Sequence, residues 1–248
     1  MTGAGKASVL IVGARSDIAR AIAAQFAARG HPLMLAARGT DSLAREASDM
    51  SIRYGVPVTT HELDVTDLAA QAAFLDSLDP LPVCMVCAVG TLGNQERDAK
   101  DPQAIRAIAE ANFVGPATLI EAMATRMAAA GDARAIIGIG SVAGDRGRAK
   151  NYIYGAAKAG FAAYLSGLRQ KHVNTGVHVM TVKPGFVRTA MTDGMDLPGA
   201  LTSSPQDFGK GVMRAYDRRA TVYYDLRWRV LMTVIRALPE RIFMRTKF

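Results

Sequence analysis

Short apolar runs and longer, Ala-rich stretches alternate along the whole chain. Runs at 8–12, 32–36, 56–63, 83–88, 135–139, 178–183 and 221–224 have the length and composition of strands. The stretches between them, at 18–29, 40–54, 67–77, 102–130, 154–174 and 205–218, read as helices. Strand and helix in alternation predict βαβ units and a parallel sheet. The expectation is an α/β, Rossmann-like, doubly wound parallel sheet of about seven strands flanked by helices. No Pro/Ser linker, low-complexity tract or internal repeat divides the chain. Residues 1–224 are therefore expected to form one dinucleotide-binding domain, with 225–248 as an extension of it. Within that domain, 190–207 is rich in Gly, Pro, Ser and Met and is expected to be a loop that shapes a substrate pocket.

The extension has a pattern of its own. Leu226, Val230, Val234 and Leu238 recur at four-residue steps, and Leu231 and Ile235 widen that face. Arg residues and Trp228 flank it. From residue 214 onwards nine Lys or Arg stand against three acids, so +6 of the formal charge of +8 sits there. An apolar face rimmed by arginines suits a helix lying in an anionic membrane interface. It equally suits a tail packed over its own or a neighbour's pocket, and the pattern leaves both open.

Composition narrows the class. Half of the 248 residues are hydrophobic and 21% are charged, as in a globular protein. No apolar run approaches the roughly 20 residues that span a bilayer, and the N-terminus lacks the pattern of a secretory signal. A cytoplasmic location is expected, with peripheral contact at the inner face of the membrane if the tail binds lipid. Nucleic-acid binding is not expected, because the basic tail also carries a broad apolar face. Cys84 and Cys87 lie in one apolar run, where residues three apart face opposite sides of a strand, so they read as core cysteines rather than a redox pair. His31, His61, His172 and His178 show no metal-ligand spacing, and no metal is expected. Gly3-Ala4-Gly5-Lys6 is not a phosphate loop: it precedes the first strand and has Ala7 where a hydroxyl residue belongs.

Candidate chemistry begins after the first strand. Gly13, Arg15, Ser16, Asp17 and Ile18 form a turn between a buried run and an Ala-rich helix, the place where a dinucleotide pyrophosphate rests on a helix N-terminus. Only Gly13 of the usual glycines is there, with Asp17 and Ala19 in place of the others; Asp17 also suits a first-turn acid. Arg38 ends the second strand, where an acid would select NAD. A guanidinium there suits the 2′-phosphate of NADP, with Arg15 placed to help. Further on, Tyr154 and Lys158 are four apart on a helix and share one face. An ammonium near a phenol lowers its pKa and brings it towards acid–base work, and the Ser141 hydroxyl could bind a carbonyl or alcohol oxygen. Arg146, Arg148 and Lys150 fall between Ser141 and Tyr154, near the rim of the site; a solvated loop is the default reading of such a run, and a phosphate-bearing or otherwise anionic substrate is the sharper one.

With these pieces in order, residues 7–224 resemble the short-chain dehydrogenase/reductase family. Gly13-x-x-x-Asp17-x-Ala19 stands at its Gly-rich turn, Asp64-Val65 at its pair near the adenine, and Cys87-Ala88-Val89-Gly90 at the usual Asn-Asn-Ala-Gly. Asn112, Ser141, Tyr154 and Lys158 match its catalytic tetrad; Pro184-Gly185-x-Val187-x-Thr189 matches its nicotinamide segment.

The resemblance implies an oxidoreductase transferring hydride between a nicotinamide cofactor, NADP(H) in preference to NAD(H), and a carbonyl or secondary alcohol. Tyr154 is then the general acid or base, and Lys158 binds the nicotinamide ribose and lowers the Tyr154 pKa. Ser141 holds the substrate oxygen, and Asn112 maintains a water-linked proton path. Ala88, Val89, Gly90, Pro184, Gly185, Val187 and Thr189 contact the cofactor, and a homo-oligomer is implied. A non-catalytic NADP sensor is the competing class, and the intact Ser/Tyr/Lys set argues against it. The Ser16-Asp17-Ile18 turn, the Arg146–Lys150 run and the Trp-containing tail also resemble decaprenylphosphoryl-2-keto-ribose reductases. That narrower likeness implies a keto-sugar on a polyprenyl phosphate as substrate, with steroid or acyl ketones as alternatives.

Overall fold

The structure, a computed structural model, describes residues 6–246, so the Gly3–Gly5 part of the rejected phosphate-loop segment lies outside the described residues. The chain runs β1 (Val9–Val12), α1 (Asp17–Ala27), β2 (Leu33–Ala37), α2 (Ala44–Tyr54), β3 (Val58–Glu62), α3 (Ala70–Asp76), β4 (Cys84–Cys87) and α4 (Gln95–Asp98). It continues through α5 (Pro102–Ala109), α6 (Gly115–Ala130), β5 (Arg134–Ile139), α7 (Tyr152–Lys171), β6 (Val177–Val182), β7 (Phe186–Val187) and β8 (Thr202–Ser203). It ends with α8 (Pro205–Asp217), β9 (Val222–Tyr223), α9 (Leu226–Ala237) and α10 (Glu240–Phe243).

Seven strands form one sheet in the order β3-β2-β1-β4-β5-β6-β9, every neighbouring pair parallel. The central strands read as unbroken apolar runs because both of their faces are covered. Val9, Ile11, Cys84 and Val86 face a layer that includes α1 and α8. Leu10, Val12, Met85 and Cys87 face α3, α6 and α7. Cys84 and Cys87 therefore lie on opposite faces, as their spacing implies; both are free thiols and buried. The strand order reverses between β1 and β4, and the carboxyl ends of strands at such a point leave a crevice open to a ligand.

Local chemistry sets where several helices begin. Asp101 and Ser204 accept from the backbone N–H of Gln103 and Asp207, and a proline occupies the first position of each helix they cap. Asp225 caps α9 in the same manner, accepting from Arg227 N at 3.0 Å. The expected helix over 102–130 contains one wide turn, Glu110–Val114, between α5 and α6. Such turns displace the helix register and are frequent at functional sites; Asn112 sits in this one. The 190–207 segment also differs from a plain loop. It carries two short helical turns and the strand β8, which pairs in parallel with β7.

Among the described residues no helix is long and apolar enough to cross a membrane. The tail folds back onto the domain. Trp228, Met232 and Ile235 of α9 and Phe243 of α10 form a third apolar cluster with Val142, against which Phe186 and Leu201 pack. The opposite side of α9, with Leu226, Val230 and Val234, is exposed.

Candidate active site

A cavity of about 640 Å³ opens at the switch point between β1 and β4. Gly13 makes its floor possible. Its φ is +79°, and a Cβ there would fall 2.9 Å from the carbonyl carbon and oxygen of Ala88. Only glycine lets the first turn come so close to the end of β4. Ala19, where a later glycine is usual, is fully buried in the α1 face of the core, so this packing has room for its methyl. Asp17 begins α1, and its carboxylate accepts from the backbone N–H of Ala190 at 2.8 Å. That bond ties the phosphate-type turn to the start of the 190–207 segment. Arg15 and Arg38 reach the rim of the same cavity. The Arg38 side chain is 73% exposed and lies 3.6 Å from Asp64. Hydrogen bonds from Thr66, assisted by the Arg38 charge, hold the Asp64 carboxyl below its ordinary value.

A smaller recess of about 90 Å³ shares Ser16, Ile18, Ala88, Val89 and Gly90 with the crevice and adds Ser141, Tyr154 and Lys158. Ser141, two residues beyond the end of β5, is extended backbone, and its hydroxyl accepts from Ala143 N at 3.1 Å, which fixes its direction. Tyr154 lies in the first turn of α7. Burial raises the phenol pKa, while a hydrogen bond with Ser141 and the nearby charge of Arg148 pull it down. Lys158, one turn on, donates to Val89 O at 3.0 Å and Ile139 O at 3.2 Å. Its ammonium is 5.9 Å from the centre of the Tyr154 ring, and burial drops its pKa to about 8. The expectation gave the tuning charge to Lys158. In this arrangement Lys158 is turned to the two carbonyls with its ammonium still beside the Tyr154 ring, and Arg148 adds a further positive charge near the phenol.

Asn112 is fully buried and lines neither cavity. Its amide donates to Ile108 O and Thr91 O at 2.9 and 2.8 Å and accepts from Thr91 N at 3.2 Å. It thus pins the segment after β4, whose Gly90 borders both cavities. Arg146 does not face the recess as the expectation for an anionic substrate required. Its guanidinium is spent on the tail, donating to Ile235 O, Leu238 O and Glu240. Lys150 is exposed. Only Arg148 of that run stands beside Tyr154.

The family profile described as short chain dehydrogenase matches residues 7–197. The chain belongs to the short-chain dehydrogenase/reductase family. It is 35% identical over 250 residues to an uncharacterised oxidoreductase of Mycobacterium tuberculosis, covering 99% of each. Its fold superposes with a TM-score of 0.78 on a short-chain dehydrogenase from Sphingobium yanoikuyae in complex with NADPH, at 27% identity and covering 95% and 97% of the two chains. A bulky-bulky ketone specific alcohol dehydrogenase from Comamonas testosteroni gives the same TM-score at 26% identity, covering 96% of each chain.

The short-chain dehydrogenase described here is thus an NAD(P)-dependent oxidoreductase of the CH–OH/C=O type. Of the residues singled out in its sequence, Gly13, Arg15, Ser16, Asp17, Ile18, Arg38, Asp64, Val65, Ala88, Val89, Gly90 and Thr189 line the crevice. Ser141, Tyr154, Lys158, Pro184, Gly185 and Val187 line the recess. The dimensions of the crevice, the close Gly13 turn and the two rim arginines fit a dinucleotide carrying a 2′-phosphate. Three participants were not singled out. Thr91 and Thr66 stand one residue beyond expected cofactor contacts, a position that could have flagged them. Gln95 accepts from Ile153 N at 3.1 Å and so steadies the start of α7; nothing in the pattern around it marks that role.

Proposed function

We propose that this dehydrogenase uses NADP(H) to reduce a carbonyl, or in reverse to oxidise a secondary alcohol, with Ser141 holding the oxygen and Tyr154 exchanging its proton. The observation that carries this reading is the convergence of Ser141, Tyr154 and Lys158 on one recess opening off the crevice. The dinucleotide, when bound, supplies or accepts the hydride. Ser141 directs a carbonyl oxygen towards the phenol, and Tyr154 delivers a proton to that oxygen as negative charge develops on it. Lys158 braces Val89, two residues beyond β4, and Ile139, the last residue of β5, and on this reading it also binds the nicotinamide ribose. Asn112 keeps the Gly90–Thr91 wall in place. NADP is favoured over NAD by Arg15 and Arg38, and the NADPH complex of the Sphingobium relative supports the same choice. Replacing Tyr154 by Phe tests the proposal: NADPH should still bind by fluorescence titration, while turnover disappears. Undiminished turnover would remove Tyr154 from the mechanism.

As substrate we propose a keto-sugar carried on a polyprenyl phosphate, in preference to steroid or acyl ketones. Supporting this is the outer side of the tail, where Leu226, Val230, Val234, Ile242 and Met244 are exposed. Arg229, Arg236, Arg241 and Arg245 are exposed beside them. Such a surface suits peripheral contact with an anionic bilayer, where a lipid-linked substrate is found. Vesicles rich in phosphatidylglycerol should sediment the wild type and fail to sediment a Leu226→Ser/Val230→Ser/Val234→Ser variant. Equal sedimentation of the two would remove this face from any lipid contact. NADPH oxidation against keto-sugar, steroid and acyl-ketone panels then decides the substrate class. A homo-oligomer is proposed from the family resemblance and is testable by light scattering.

A further inference from the structure

The tail is fastened to two consecutive residues of the loop that follows Ser141. The Asp145 side chain is 2% exposed, with one oxygen 2.5 Å from Lys183 Nζ and the other accepting from Tyr224 OH at 2.9 Å. Lys183 directly precedes the Pro184-Gly185 segment that lines the recess. Tyr224 directly precedes Asp225, the cap of α9. Arg146, next in the chain, reaches the far end of the same helix. Its side chain is 13% exposed and donates to Ile235 O at 2.6 Å, Leu238 O at 2.5 Å and Glu240 at 2.7 Å. It also lies 4.1 Å over the Phe243 ring. The last carbonyls of a helix lack intrahelical partners and carry partial negative charge, so this guanidinium answers both needs. Between the two fasteners Val142, the neighbour of Ser141, packs with Trp228, Met232, Ile235 and Phe243. The seat of the tail and the seat of the serine are one packed unit.

We propose that Asp145 and Arg146 are positioning residues, coupling the docking of the C-terminal segment to the geometry of Ser141. The proposal rests on the reading of Ser141 and Tyr154 as the catalytic pair. Through it, residues 226–243 become part of the scaffold of the active site: released from Arg146, α9 withdraws support from Val142, and the hydroxyl of the adjacent Ser141 loses its aim. A displacement of about 1 Å at such a group can cost on the order of 100-fold in rate.

The test uses the full chain and the variants Arg146→Ala, Arg146→Lys, Tyr224→Phe and Tyr154→Phe. Reduction of phenanthrenequinone by NADPH, NADPH affinity by fluorescence, and amide hydrogen exchange over 140–146 and 226–238 are compared. Expected for Arg146→Ala and Tyr224→Phe is a kcat reduced about tenfold or more, with NADPH affinity within about twofold of wild type. Exchange should quicken in both segments, and added guanidinium ion should restore part of the kcat of Arg146→Ala. Exchange that quickens in 226–238 alone, with kcat unchanged, overturns the proposal. So does a fall of kcat, NADPH affinity and melting temperature together with no response to guanidinium, which marks a merely structural role. Should Arg146→Ala fail to fold, Tyr224→Phe and Arg146→Lys supply the comparison, and exchange decides if the diketone is not turned over. Turnover retained in Tyr154→Phe would sink the catalytic pair instead, and leaves the exchange result to judge the coupling separately.

Discussion

The indole of Trp228 lies directly against Gly185: a Cβ on that glycine would sit 2.0 Å from Trp228 Cε2. Trp228 Nε1 donates to Leu201 O at 2.7 Å, and its ring meets Phe186 edge-on at 5.0 Å. One side chain from the tail thereby touches both the segment lining the recess and the loop that follows it. Gly185→Ala should destabilise the protein by about 1–3 kcal/mol through overpacking. Urea denaturation measures this, and an unchanged midpoint would contradict the close packing.

Arg38 predicts cofactor choice. A hydrogen bond to a charged group contributes about 1.5–3 kcal/mol, so Arg38→Ala should lower NADPH affinity by roughly ten- to a hundredfold. NADH affinity should change little. Fluorescence titration with both dinucleotides checks this, and an unaltered ratio would take Arg38 out of the role.

Tyr154 predicts a pH shift. The Ser141 hydrogen bond and the Arg148 charge oppose the rise that burial imposes on the phenol. Removing either should raise its pKa further. Alcohol oxidation needs the phenolate as base, so its rate rises with pH through that pKa. In Ser141→Ala and Arg148→Met the midpoint of this limb should move to higher pH. A midpoint that stays put in both would dissociate these groups from the phenol.

Lys158 predicts how stability depends on pH. Its pKa falls from 10.5 to about 8 on burial. Between those values the unfolded chain holds the proton and the folded chain does not, so stability rises with pH across this window. Below about pH 8 both forms are charged, and the fold bears a cost of about 3 kcal/mol for this one group. Relative to Lys158→Met, the wild type should therefore gain about that much as pH climbs from 8 to 10.5. Denaturation of both proteins at the two pH values tests it, and a flat difference would refute it. The cost fits a lysine retained for chemistry and not for stability.

Much of this architecture is legible in the order of residues, and the reasons are local. Apolar runs such as Val9–Val12 and Cys84–Cys87 are covered on both faces and stand out from the Ala-rich helices around them. Tyr154 and Lys158 are neighbours by helical spacing alone. The two-residue strands β7 and β8 are too short to show any periodicity. Arg146 and Arg148 look equivalent in sequence, yet one is drawn to carbonyls 89 and 92 residues away and the other stands beside the phenol. That sorting depends on where α9 docks, which no local pattern encodes. The wide turn at Asn112 was hidden for a similar reason, since one additional residue in a helical turn leaves the apolar pattern nearly intact.

The two thiols on opposite faces of β4 have a practical consequence. Burial pushes both pKa values up, that of Cys87 to about 11, so neither sulfur is reactive while the sheet is closed. An alkylating reagent can reach them only when the central strand itself comes apart. Labelling kinetics would therefore act as a clock for global opening, blind to fraying of the tail or of the 190–207 segment, and readable without adding any probe to the chain.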